Sequence, residues 1–190
     1  MSIKKILLAI LLTFNTYTVC AEENSIGMDI NSKDVEILAS INLNNLTYYT
    51  DGTSYVLDLA YLHTKGNNLT TLGISGQNMF QGLEGLSLAF GLKAAFSEDF
   101  LAFPLYAKAI YRLPLNDQIP PTSLSTSFTY APSVLSFRDA QSYTEFRLEA
   151  DMEVISNIHI FTGFRRINTD YEDYDKTFNN SFYAGLKLSF

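Results

Sequence analysis

The sequence predicts an all-β chain: a transmembrane antiparallel up-and-down β-barrel, with eight strands the preferred count and ten the alternative. Three observations carry this. Apolar and polar residues alternate with period two from about residue 35 to the end of the chain, the signature of strands with one face apolar and the other polar. Several alternating runs approach or exceed the ~9–11 residues that a tilted strand needs to cross a bilayer, against roughly 5–6 for strands of globular sheets. The apolar faces also carry much of an aromatic complement of 12 tyrosines and 14 phenylalanines, while the opposite faces carry charge. A soluble sandwich buries its apolar faces against each other; a polar interior inside an apolar exterior is the inverse arrangement of a membrane barrel.

The first stretch has the form of a secretory signal. Lys4 and Lys5 precede the apolar run Ile6 to Phe14, and a short polar region ends in Val19-Cys20-Ala21. Cleavage before Glu22 gives a signal peptide of 1–21 and a mature chain of 22–190. The apolar run is too short for a membrane helix. Cys20 is the single cysteine and leaves with the signal; Tyr17, Thr18 and Val19 make a poor lipid-attachment context for it. The mature chain then has neither disulfides nor thiol chemistry. Without Lys4 and Lys5, 11 basic side chains face 20 acidic ones, a net charge of −9, which disfavours nucleic acid as a partner.

The strands follow in order. Val35–Leu43 alternates Val35, Ile37, Ala39 and Ile41 with Glu36, Leu38, Ser40 and Asn42. Tyr55–Leu62 sets Tyr55, Leu57, Leu59 and Tyr61 against Val56, Asp58, Ala60 and Leu62. Leu69–Gln77 is rich in threonine and glycine. Leu86–Phe96 and Phe103–Leu113 each oppose an apolar row to one containing lysine or arginine. Leu124, Thr126, Phe128 and Tyr130 oppose Ser123, Ser125, Ser127 and Thr129. In Thr144–Val154 the odd positions are Glu145, Arg147, Glu149, Asp151 and Glu153, a pattern that a helix would scatter around its axis. Ile158–Ile167 and Phe182–Phe190 complete the series. Turn chemistry separates them at Thr50-Asp51-Gly52, Lys65-Gly66-Asn67-Asn68, Leu113–Asp117 and Ser156-Asn157.

This makes one all-β unit with core strands over about 53–190. Chain termini on the periplasmic side require an even count. Eight strands from Tyr55 onward satisfy it, leaving Val35–Leu43 as an extra element in the lumen or at the rim. Ten strands are reached if Leu46–Thr50 also pairs.

On the stretches "FTGFRRINTD" (Phe161–Asp170) and "FYAGLKLSF" (Phe182–Phe190), the chain resembles the YfaZ-like family of outer-membrane proteins. The resemblance implies an integral barrel of the bacterial outer membrane, porin-like in form, without an established biochemical activity. The final Phe190 is similar to the recognition signal used by the outer-membrane assembly machinery. It is expected to be both a lipid-facing residue and part of an insertion signal. The partners implied are outer-membrane lipid, lipopolysaccharide and that machinery.

Side chains on the predicted inward face define the candidate site. Lys93, Lys108, Arg112, Arg147, Arg165 and Lys187 face Asp58, Glu145, Glu149, Asp151 and Glu153. Since an unpaired buried charge costs several kcal/mol, these are expected to pair, and a narrow barrel filled by them is closed. The function expected is therefore structural or surface display with a salt-bridged lumen; a small porin-like channel for polar solutes is the alternative. A lipid-A-modifying enzyme is the rival class. His63 has the depth for such chemistry but is followed by Thr64 and Lys65 rather than by the serine of the deacylase pattern, and the Asp-Ser pair of the palmitoyl-transferase pattern does not occur. His159 is expected to be a structural hydrogen-bonder. The acidic loop Asp170–Lys176 lacks the glycine and ligand spacing of a calcium loop. No catalytic residue, cofactor or metal is expected.

Overall fold

The computed structural model describes residues 24–44, 52–64, 66–116, 119–171 and 175–190. The predicted signal peptide 1–21, the segment Leu46–Thr50 and the acidic-loop residues 172–174 lie outside them. Twelve strands form one sheet: β1 Ser25–Ile30, β2 Val35–Asn42, β3 Ser54–Thr64, β4 Asn67–Met79, β5 Leu86–Phe96, β6 Phe100–Ala102, β7 Leu105–Arg112, β8 Thr122–Ala131, β9 Ser136–Arg138, β10 Ala140–Ile155, β11 Ile158–Tyr171 and β12 Asp175–Ser189. Pairing of β4 with β5, and of β1 with β12, closes a ten-stranded antiparallel barrel; the short β6 and β9 pair with each other beside it. Closure leaves no continuous exposed edge, which backbone in lipid cannot tolerate.

The preferred count of eight gives way to ten. Val35–Asn42 is a wall strand, paired with β3 from Val35↔His63 to Asn42↔Val56. The tenth strand comes from Ser25–Ile30, ahead of it. Both suit the wall because their outward residues Ile26, Met28, Ile30, Val35, Ile37 and Ile41 are apolar and exposed, while Asp29 and Glu36 point inward and are buried.

The β1–β2 hairpin is short. Its pairing with β12 runs from Ser25↔Ser189 only to Ile30↔Ala184, so residues 175–183 of β12 continue past its turn. Side chains bridge from this stretch: Asn31 Nδ2 donates to Ser181 Oγ (3.1 Å), Asn179 Nδ2 to Asp34 Oδ2 (2.7 Å), and Lys176 Nζ to Asn67 Oδ1 on β4 (3.2 Å). The hairpin is a wedge in one half of the barrel.

The mouth beside Asn24 and Phe190 is here the terminal mouth, and the opposite one the distal mouth. The predicted strand Phe103–Leu113 is interrupted: Pro104 has no N–H to give the ladder. Proximal to it, β7 pairs with β5 and β8; beyond it, β6 pairs with β5 and β9. At the terminal mouth the β10–β11 turn takes two residues, with Asn157 at φ 67°, a left-handed conformation that asparagine accepts readily.

The outer surface is apolar around its circumference. Leu59, Leu72, Ile74, Phe90, Leu92, Leu105, Phe128, Leu148, Ile160, Phe182 and Leu186 are all exposed. Apolar side chains inside the barrel concentrate toward the distal mouth, where Leu62, Leu69, Phe100, Tyr143, Ile167, Tyr171 and Phe178 form one buried cluster. Phe100 lies 5.7 Å from Tyr143 and 6.1 Å, edge-on, from Phe178, ring centre to ring centre.

Candidate functional site

Period two places the charged rows of β10, β11, β5 and β2 on the inner face, and the sheet register brings four of the predicted residues together. Arg147 on β10 reaches across the lumen to Glu36 on β2, donating from both terminal nitrogens to the two carboxylate oxygens at 2.7 Å each. Arg147 Nε also donates to Glu145 on its own strand. Arg165 on β11 donates to Glu36 and lies 3.4 Å from Asp29. Lys93 on β5 completes the span, 3.7 Å from Glu145. Asp29, Glu36, Glu145 and Arg165 are at most 1% exposed. Three cations and three acidic side chains meet in this cluster, so each cation has an acidic neighbour within 4 Å. The forked Arg147–Glu36 contact is the planar two-bond geometry that guanidinium and carboxylate favour. Rings flank the cations: Lys93 Nζ is 4.3 Å from the centre of Tyr106, and Arg165 Cζ 5.1 Å from that of Tyr183.

The other predicted residues sit elsewhere in the lumen or at its rim. Asp151 meets Lys187 at 2.6 Å and His159 at 2.7 Å. Glu149 accepts from the Tyr183 hydroxyl at 3.0 Å, and Asp58 from Ser40 at 2.6 Å. Lys108 is half-buried on the inner face of β7, in register with Ser127. Two lie at the terminal rim: Arg112 is exposed, and Glu153 accepts the Asn157 N–H at 3.0 Å. Phe190 is 43% exposed, and its N–H donates to the Asn24 carbonyl at 2.8 Å. His63 is exposed and bonded to Asn68 at 2.7 Å.

Asp29 and Glu36 are absent from the sequence-derived set although Glu36 is the hub of the cluster. The signal was present: Glu36 alternates with Val35 and Ile37. Asp34, in the β1–β2 turn outside the spanning strands, supports the same region. Burial pushes its carboxyl up, but hydrogen bonds from Asn31, Asn179 and Thr64 and the Arg165 charge outweigh this and hold it below the ordinary carboxylate range. Among the described residues, no group of three or more His, Cys, Asp or Glu side chains is arranged to hold a metal ion.

Residues 106–190, from within β7 to the end, match the model of the family described as YfaZ precursor. No curated protein matches the chain. Solved structures that resemble it include a bacterial polysaccharide outer membrane secretin (TM-score 0.49, 11% identity, 83% of this chain and 57% of that one). The chain thus spans little more than half of the secretin chain. A KdgM porin in complex with disordered oligogalacturonate gives 0.45 at 12% identity, over 89% of this chain and 99% of that one. The NanC porin gives 0.43 at 10%, over 88% and 99%. With lipid-suited residues outside and paired charges inside, the chain is a closed antiparallel β-barrel of the membrane-spanning kind, and its C-terminal strands, residues 106–190, are similar to the YfaZ precursor family.

Proposed function

We propose that this barrel is closed and non-conducting, and that its role is structural, carrying its distal turns at the cell surface. The observation that carries this reading is the crossbar: Glu36, Arg147, Glu145 and Lys93 link β2, β10 and β5 across the lumen. The distal cluster around Phe100 supports it with a second, apolar obstruction. In this reading the termini face the periplasm, lipid and lipopolysaccharide surround the apolar belt, and the assembly machinery engages the last strand through Phe190.

The test is single-channel recording of the purified protein in planar bilayers. A closed barrel inserts without discrete current steps, and Arg147→Ala combined with Phe100→Ala produces them. Steady, ohmic unit conductance from the wild-type protein overturns the closed reading in favour of a small channel for polar solutes.

A further inference from the structure

On the terminal side of the crossbar, three consecutive wall strands each contribute one inward side chain to a connected chain of polar atoms. Asp151 Oδ1 on β10 lies 2.7 Å from Nδ1 of His159 on β11, and Nε2 of His159 lies 3.3 Å from Oγ of Ser189 on β12. An ionised carboxylate only accepts, so the Asp151 contact places the imidazole proton on Nδ1 and leaves Nε2 as the acceptor for the serine hydroxyl. A hydroxyl bonded to a base, which is itself oriented by a carboxylate, is the arrangement that activates serine as a nucleophile. The nearby Ser40–Asp58 pair lacks the intervening base.

The surroundings fit a reaction centre. Lys187 is the register partner of His159 and lies 2.6 Å from Asp151 Oδ2. Lys187 lies two residues before Ser189 on the same strand face, so it brings a positive charge to this end of the lumen. Ser123 is the register partner of Asp151 and Ser125 that of Glu149, continuing as a hydroxyl row along β8. Phe161 and Tyr183, packed edge to face at 6.2 Å, fill the lumen one step distal of His159 and Lys187. His159 and Asp151 retain 18% and 13% exposure beside the terminal mouth.

We infer that Ser189, His159 and Asp151 form a nucleophile, base and orienting group that hydrolyse short-chain acyl esters of polyols entering from the terminal mouth. The serine row suits a hydroxyl-rich alcohol, and the buried Phe161–Tyr183 pair on the distal side favours a short acyl group over a long one. Ser189 Oγ bonds to the ester carbonyl carbon as its proton passes to His159 Nε2. The tetrahedral adduct collapses, breaking the bond to the alkoxide, which takes that proton and leaves as the alcohol. Water then attacks the acyl-serine, giving a proton to Nε2. Oγ departs, recovers that proton, and the carboxylic acid is released. This activity departs from the non-catalytic expectation drawn from the sequence. It stands apart from whether the barrel conducts, because the site needs only its terminal mouth open.

The test uses the protein purified from membranes and kept folded in detergent, treated with a fluorophosphonate probe. Intact mass should show one phosphonyl adduct, mapped to Ser189 by peptide analysis, and p-nitrophenyl acetate should be cleaved faster than p-nitrophenyl octanoate. Ser189→Ala should lose the adduct while keeping the folded, heat-modifiable gel band. His159→Gln should slow labelling by on the order of 10²–10⁴-fold. Asp151 acts through His159, so Asp151→Asn should slow labelling and Asp151→Glu should restore part of it. Folded wild-type protein that forms no adduct, or an adduct mapped to another residue, overturns the proposal even where a variant fails to fold.

Discussion

Arg147 on β10 and Glu36 on β2 meet across the lumen through two parallel hydrogen bonds of 2.7 Å. Each is also tied to a second partner, Arg147 to Glu145 and Glu36 to Arg165. Removing either charge therefore unbalances the whole cluster. Arg147→Ala leaves Glu36 and Glu145 short of a cation, and breaking a buried pair from one side costs about 3–5 kcal/mol. Replacing both ends by leucine should cost less than the sum of the single replacements, because Lys93–Glu145 and Arg165–Asp29 remain as matched pairs. Urea midpoints of the folded gel band measure both; additive losses would show that the crossbar is not one coupled unit.

Adjacent residues on β10 should respond in opposite ways to substitution. Leu148 is 51% exposed on the outer face, whereas Glu149 points inward and accepts from Tyr183. Arginine at 148 would be forced into lipid, at roughly 2–4 kcal/mol near the bilayer midplane. Glu149→Gln keeps an acceptor for the tyrosine hydroxyl, so it should cost less than Leu148→Arg in the same urea assay. The reverse order would mean that β10 is shifted by one residue.

Much of this pattern was legible in the sequence because the side-chain period of a strand is two. The inward row Glu145, Arg147, Glu149 and Asp151 followed from alternation alone. The β1–β2 hairpin did not: Ser25–Ile30 is six residues long and immediately follows a leader-like segment, so its own periodicity is too brief to stand out. With β1 unseen, Val35–Asn42 has no second neighbour to bring it into the wall, so Glu36 is not among the predicted inward charges. Spatial closeness was harder still. Ser189, His159 and Asp151 each show an inward position by alternation, but only the pairing register sets them side by side. Phe100 itself has no periodic signal, since β6 is three residues long.

Asp34 links the hairpin wedge to β12 and gives a pH test. Its folded carboxyl titrates below the ordinary range, whereas unfolded aspartate titrates near ~3.9. A depressed folded value contributes stability that is fully present above the unfolded value and is lost as pH falls through the folded one. At neutral pH, Asp34→Asn should therefore be less stable than wild type, because it gives up the charge that faces Arg165 and that strengthens the hydrogen bonds donated by Asn31 and Asn179. The gap should narrow once the pH is taken below ~4. Stability measured against pH for both proteins checks this; a gap that stays constant would place the contribution in shape rather than in charge.

Phe100 offers a way to separate the two obstructions in the lumen. It is fully buried against Tyr143 and Phe178, yet it is carried on β6, which is held by the short pairings Ala95↔Ala102 and Phe96↔Leu101 on one side and by β9 on the other. Removing a buried phenylalanine side chain costs about 3–5 kcal/mol in a well-packed core. Here the loss should appear locally, because β3, β4, β10, β11 and β12 keep their long ladders. In Phe100→Ala, amide exchange should accelerate at Phe100–Ala102 and Ser136–Arg138, while β10 and β11 remain as protected as in the wild type. Such loosening alone should leave the bilayer current flat, since the Glu36–Arg147 crossbar still spans the lumen. Hydrogen exchange followed by mass spectrometry, run beside the bilayer recording, reads both parts. Uniformly faster exchange across the long strands would show that the Phe100 cluster holds the whole barrel together rather than capping one end.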